Sequence, residues 1–497
     1  MNDRRSDPEL DDPSDPEIGA GANPAGAVAA AAGAPTRDEL RRRTDRDILR
    51  LAWPAIVSQV LASAVSLIDI GMLGRLGTDA LAAVGYTSQF FQLAQAALLA
   101  LSVACVALMA RALGAGEPER ARGAFAASLV LAVGSAVAIC VVSIVFPAFL
   151  LGALNAEPAV IERAVPYFRL TLGSTLLLAV TLTIESAFRS ARNTTTPLLI
   201  AGVVTVVKLG LNWLLIFGTF GFPRLDLIGA GIATVLSQLV GVLLFVAAAS
   251  RRDRPESEAV RLRRADFAKV REFLPETVSV SWPALGERVL LNGALLVYFW
   301  VLSDYGPVAI AAYTVGVRLL SFSWIPGVGI SIAASTLVGQ ALGAGDVRLA
   351  ARAGWRSARL SLLVSLVLFV VFALLRKTLA EGFTDDAEVI AALEPFMLLL
   401  GISQPFLGVH FTLAGALRGA GDTVTPLWSA TLGNWVFRVP LAMLVAKVFH
   451  ADVVWVWGTL VFDHVTRAIW LAWAFRRERW ALNVGAGLGK ARRSGAH

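Results

Sequence analysis

Leu113-Gly114-Ala115-Gly116-Glu117 returns 229 positions later as Leu342-Gly343-Ala344-Gly345-Asp346. The same offset carries Trp53-Pro54-Ala55 to Trp282-Pro283-Ala284, and Arg189 through Thr196-Pro197-Leu198 to Arg418 through Thr425-Pro426-Leu427. Three matches across roughly 145 residues, without net insertion, mark the duplication of one unit, which is how many transporters build a site between two halves. The two glycines of each segment permit backbone angles that other residues resist, so these segments read as tight turns. The Thr-Pro steps read as helix starts, because proline is tolerated in a first turn.

The surroundings of the repeat are apolar. The chain is 56% hydrophobic and 16% charged, where a soluble domain carries about 25% charged residues. Stretches of about 20 apolar residues follow one another from Ile48 to Phe475, each long enough to cross a bilayer as a helix. Lipid offers no partner to a backbone N–H, and the ten-residue alternation of a membrane β-barrel is missing. The expectation is an all-α integral membrane protein with about twelve spans in two pseudo-symmetric six-helix bundles. Its expected divisions are a disordered tail (1–46), an N-lobe (47–250), a linker (251–271), a C-lobe (272–477) and a second tail (478–497). Six spans per half is an even number, so the halves are related by an axis along the membrane normal. By the positive-inside rule the side holding about 32 of the 44 Lys and Arg is cytoplasmic. Both termini then face the cytoplasm, and a bacterial inner membrane is the expected location. The net charge of +7 reflects this topology and not nucleic-acid binding. Cys105 and Cys140 both fall inside spans and suggest neither a disulfide framework nor a metal site. No cofactor is expected.

At these motifs the chain resembles the multidrug and toxic compound extrusion (MATE) family, and within it the prokaryotic DinF-like branch. The resemblance rests on Leu51-Ala52-Trp53-Pro54, Asp69, Gly74-Arg75-Leu76-Gly77, the run Leu337 to Asp346, and Arg418-Gly419-Ala420-Gly421-Asp422-Thr423. It implies twelve helices in two lobes and export of small molecules in exchange for H+ or Na+.

Ionisable groups inside spans are costly and face a protein interior or an aqueous cavity. Asp69 stands fifteen residues after Pro54, about 22 Å along a helix. The residues alone leave it open between an interfacial acid and a coupling carboxylate; the resemblance implies the latter, since the family carries its first-helix aspartate at this spacing. Lys208 and Asn212 lie one turn apart on one face of the fifth span. Similar family members carry Asn and Asp there and use them to hold Na+. An ammonium cannot ligate a cation, so the departure favours H+ over Na+ and suggests that Lys208 pairs with ionised Asp69. Asn212, Thr234 and Gln59 are assigned to an N-lobe polar cavity. The repeat partners of Asp69 and Lys208 are Tyr298 and Phe437, which suggests ion chemistry in the N-lobe and an aromatic surface in the C-lobe. Glu287 and Arg318 replace Ser58 and Gln89 of the first copy and are read as a buried ion pair. The acid of NorM-type members deeper in the seventh span is absent, for Leu291 stands there. Tyr298, Trp300, Tyr313 and Trp324 are candidates for a substrate cleft that attracts cations, although aromatics at helical spacing also serve plain packing. Glu185 with Arg189 and Asp463 with Arg467 suit local helix salt bridges. His410 and His464 read as core histidines.

The expected function is a proton-coupled antiporter exporting amphipathic, cationic small molecules by alternating access. Its partners are a small-molecule substrate, H+ and membrane lipids, with the chain a monomer. A lipid-linked oligosaccharide flippase would need a cluster of cations, and the candidates Lys208, Arg288, Arg318 and Arg438 are scattered along the sequence. An intramembrane enzyme would need paired aspartates, a zinc motif or a Ser-His arrangement, and none stands at plausible spacing.

Overall fold

The structure, a computed structural model, describes the backbone of residues 37–154, 156–251, 255–383 and 385–481, with side chains for 43–154, 156–251, 258–383 and 385–481. The tails expected before residue 37 and beyond 481 lie outside the described residues. The chain divides into two units between Thr44 and Asp45.

Helix is the regular structure throughout, and no strand occurs among the described residues. Ten stretches are long and apolar enough to cross a membrane. One of them, Val270–Gly343, is two helices joined by the turn Ser303–Tyr305. A further helix, Val453–Arg476, has the length but carries Asp463, His464 and Arg467. The N-lobe helices are α1 (Arg37–Gly74), α2 (Thr78–Gly114), α3 (Pro118–Val145), α4 (Pro158–Ser190, interrupted at Ser174), α5 (Thr195–Phe217) and α6 (Asp226–Ser250). The C-lobe helices are α7 (Val270–Leu302), α8 (Gly306–Gly343), α9 (Val347–Glu381), α10 (Ala387–Gly419), α11 (Val424–Val448) and α12 (Val453–Arg476). The twelve long helices expected from sequence are thus present, six in each half of the repeat. One boundary differs from the expectation, and the linker carries structure of its own. The first helix already begins at Arg37, and the linker folds into two short helices, Pro255–Val260 and Arg264–Ala268. Val260 packs into the N-lobe core with Phe188 and Phe245. Asp266 accepts from the Arg263 N–H at 2.7 Å and faces Arg122 at 3.5 Å.

The repeated motifs end helices. Four such ends close by the same six-residue backbone bond, from Glu117 to Ala112, Asn193 to Phe188, Asp346 to Ala341 and Asp422 to Leu417, at 2.9–3.0 Å. That closure needs a residue with positive φ. Gly116, Gly345 and Gly421 supply it at +73°, +79° and +83°. Arg192 takes the fourth place at +59°, a conformation that costs a residue with a side chain about 1 kcal/mol.

The lobes meet at the end that carries the linker. There α2 and α8 cross backbone to backbone: a Cβ on Gly114 would lie 2.0 Å from the Gln340 carbonyl oxygen, and one on Gly343 would lie 1.9 Å from that of Arg111. Thr336 donates to the Arg189 carbonyl (3.2 Å) and Gln340 to that of Ser190 (2.7 Å), while Arg192 donates to the Gln340 side chain. Arg111 faces Glu276 at 3.5 Å. Ile48, Leu51 and Ala52 of α1 sit in the core that the C-lobe builds around Leu337 and Leu413. At the opposite end α1, α2, α7 and α8 carry long exposed faces, with no hydrogen bond or ion pair between the lobes among the described residues. The lobes are sealed on the linker side and part on the other.

Candidate functional site

In the N-lobe, α1 and α5 bring one acid, one base and one amide together. Lys208 donates its ammonium to Oδ2 of Asp69, and the Asn212 amide donates to Oδ1 at 2.6 Å. Lys208 and Asn212 are one turn apart on α5, so a single face delivers both donors. The Asp69 and Lys208 side chains are about one-fifth exposed (18% and 21%), so the pair lies largely inside the lobe. Asn212 is buried, and its own carbonyl oxygen has no hydrogen-bond partner. Thr234 spends its hydroxyl on the Ala230 carbonyl of its own helix at 2.9 Å. Gln59 does not join this group. It stands ten residues before Asp69, about 15 Å along the helix, and is exposed.

The C-lobe departs from the sequence reading in several places. Glu287 does not pair with Arg318. Its two carboxylate oxygens take the Arg418 guanidinium at 2.6 and 2.8 Å, deep in the lobe where Glu287 is 4% exposed, while Arg318 is exposed. The repeat explains the exchange. Arg189, the first-copy counterpart of Arg418, pairs with Glu185 one turn back on its own helix. The second copy has Ala414 in that place, so Arg418 draws its acid from α7. The expected Asp463–Arg467 bridge is also absent: neither oxygen of buried Asp463 has a hydrogen-bond partner. His410 and His464 are not separate core residues but stack on each other, with centroids 5.2 Å apart.

The aromatic candidates do not form a common cleft wall. Tyr298 is fully buried, donates to the Val456 carbonyl at 2.8 Å and lies under the Arg438 guanidinium at 4.1 Å. Tyr313 is buried beside it and stacks on Phe396. Trp324 packs on Phe411. Trp300 is exposed, but the Lys447 ammonium covers its ring at 4.9 Å and is itself bound to Asp304. The expectation of a cationic substrate drew on these rings, and their positions remove that support.

Four exposed polar residues at equivalent positions of the repeat were not singled out together by the sequence reading. Gln59 on α1, Gln89 on α2, Arg288 on α7 and Arg318 on α8 are all exposed. The signal was in the repeat, since 59 corresponds to 288 and 89 to 318. No group of three or more His, Cys, Asp or Glu that could hold a metal ion occurs among the described residues.

Comparison with known proteins agrees with this architecture. The chain is 27% identical over 438 residues to the "Probable multidrug resistance protein NorM" of Thermotoga maritima, covering 88% of this chain and 93% of that one. It is 30% identical over 429 residues to the protein of the same description from Bradyrhizobium diazoefficiens, covering 84% and 91%. Among solved structures, the MATE transporter VcmN of Vibrio cholerae in its bent form superposes with a TM-score of 0.81 at 21% identity, covering 90% of this chain and 99% of that one. A multidrug resistance MATE family transporter in an outward-facing conformation gives 0.81 at 21% identity, covering 88% and 97%. At that identity these two speak for the fold. The MatE family matches residues 54–214 and again 283–444, two halves in the register of the internal repeat, and the chain belongs to that family.

Proposed function

We propose that this chain is a secondary exporter that moves amphipathic small molecules out of a bacterial cell in exchange for protons, and that Asp69 is the group that takes up the proton. The names of its curated relatives support multidrug efflux as the general activity. The observation that carries the proton reading is the ammonium of Lys208 on the Asp69 carboxylate. A resident cation already occupies the side of Asp69 where a sodium ion would need oxygen ligands, and an ammonium offers none. Protonation of Asp69 removes the charge that Lys208 and Asn212 hold. Lys208 is then left partly desolvated without a counter-charge, an arrangement that favours a different packing of α1 against α5. The chain acts as a monomer, both lobes being present in one copy. Its linker side, rich in Lys and Arg, faces the cytoplasm.

The test is dye efflux from proteoliposomes under an imposed pH gradient or an imposed Na+ gradient, comparing wild type with Asp69→Asn. The expected result is efflux that follows the pH gradient and is lost in the variant. Full-rate efflux by Asp69→Asn, or efflux that follows Na+ alone, overturns the reading.

A further inference from the structure

We infer that the parting between the lobes recognises an acidic group: its ligand is an amphipathic organic anion, held by Arg288 and Arg318 of the C-lobe and met by Gln59 and Gln89 of the N-lobe. The inference builds on the export reading and names the charge class of the substrate.

The duplication places these four side chains at two pairs of equivalent positions, and all four are exposed. Arg288 lies fourteen residues before the end of α7 and Arg318 twelve residues after the start of α8, about 21 and 18 Å along their helices from the open end. Both therefore sit at a similar depth, well inside a hydrocarbon layer about 30 Å thick. An arginine at that depth does not face lipid; it faces protein or a water-filled gap. Helix geometry points Arg318 at the gap. Gly329 lies eleven residues on, three turns, and so on the same face. A Cβ there would come within 2.4 Å of Ile56 and 3.0 Å of the Ala52 carbonyl oxygen, both on α1 of the other lobe. Arg288 stands two turns beyond Ser281, which is buried next to Val280, a residue of α7 that packs into the N-lobe core. Arg288 is thus among the exposed residues that follow the seal on that face, and Asn292, exposed on the next turn, donates to its carbonyl at 3.0 Å.

Charge then selects the ligand. Neither guanidinium has a hydrogen-bond or ion-pair partner among the described residues. The buried acids on these helices are already engaged, Glu287 with Arg418 beside Arg288 and Asp69 with Lys208 nearer the open end. The gap thus offers two unpaired cations and no free carboxylate. A cationic ligand meets repulsion there, while a carboxylate, sulfonate or phosphate receives charge-assisted hydrogen bonds from planar donors. The glutamine amides opposite add donors without charge.

The test uses the purified full-length protein in phosphatidylcholine nanodiscs. Fluorescence polarisation is read for carboxyfluorescein, an anion, and tetramethylrhodamine methyl ester, a cation on the same type of ring system. Arg288→Gln and Arg318→Gln install the residue found in the other repeat. Each should weaken carboxyfluorescein binding roughly tenfold or more without weakening the cation, while Arg318→Lys retains most of the affinity and so separates lost charge from a misfolded protein. Tighter binding of the cationic dye by wild type overturns the proposal, as does unchanged carboxyfluorescein affinity in both glutamine variants. Displacement of the dye by phosphatidylglycerol doped into the discs, in a manner that depends on the two arginines, assigns the pair to a lipid headgroup and overturns it as well. Binding requires no gradient, so this result stands or falls separately from proton-driven efflux.

Discussion

Inside a bundle of apolar helices, Lys208 and Asn212 donate to the two oxygens of Asp69. Asp69, Lys208 and Asn212 were readable from sequence because they are among the few ionisable or amide groups in their spans, and because one helical turn separates the last two. On the proton-coupled reading proposed above, this contact sets the ion preference. Replacing Lys208→Asn together with Asn212→Asp removes the ammonium and adds an oxygen ligand. The double variant should gain efflux that responds to an imposed Na+ gradient, where the parent should not; a Na+ response equal in both would detach the preference from this pair. The partner of Glu287 was harder to read. Two positions that gain charges of opposite sign in the second copy pointed to Arg318, yet the deciding residue was Ala414, whose small side chain leaves Arg418 without the acid that Glu185 gives Arg189. Glu287→Gln strands a buried guanidinium and should destabilise the protein by about 3 kcal/mol. Replacing both partners, Glu287→Gln with Arg418→Met, should recover much of that loss. Chemical denaturation in detergent measures both, and equal loss in the single and double variants would mean that the pair is not the source.

Among the elements, the glycine motifs divide into two tasks that the sequence does not separate. Gly116 and Gly345 are turn residues with positive φ, legible as such from the Leu-Gly-Ala-Gly pattern. Gly114 and Gly343, two positions earlier, are needed for a different reason: each lets the backbone of the other lobe approach to a distance no side chain allows. Nothing local in the sequence reports a contact between residues more than two hundred positions apart. The same holds for α11, where the turns Leu432–Arg438 and Leu444–Val448 widen to π geometry, while its counterpart α5 is regular α-helix from Thr195 to Phe217. The wide turn carries Arg438 at its end, buried over Tyr298, and such bulges are common where a helix must aim one side chain. Gly343→Ala places a methyl against the Arg111 carbonyl and should hold α2 and α8 apart. A cysteine introduced at Ala110, which is fully buried and faces Gly339 of α8, should then react faster with a water-soluble maleimide, and efflux should fall. An unchanged labelling rate would show that the seal tolerates the methyl.

At the scale of the molecule, duplication supplies two lobes of the same design, and the differences between them carry the chemistry. The first copy keeps an acid–base pair inside its bundle, the second keeps one between α7 and α10, and where the first copy carries Gln59 and Gln89 the second carries Arg288 and Arg318. The fold was legible because apolar run length and a constant offset are properties of the chain itself. The placement of the lobes was not, because it depends on which faces close on the linker side. That closure is one of two arrangements that export requires, since a carrier must expose its gap to each side of the membrane in turn. Arg192 of the N-lobe and Gln340 of the C-lobe touch across the seal, so cysteines at these two positions, in a chain whose Cys105 and Cys140 have been replaced, can be joined by a short thiol-reactive linker that a reductant cleaves. Joining them should stop efflux and reduction should restore it, with the unlinked double variant as the reference rate. Export at the unlinked rate by fully linked protein would mean that the lobes never part at this end, and the passage of substrate would have to be sought within a single lobe.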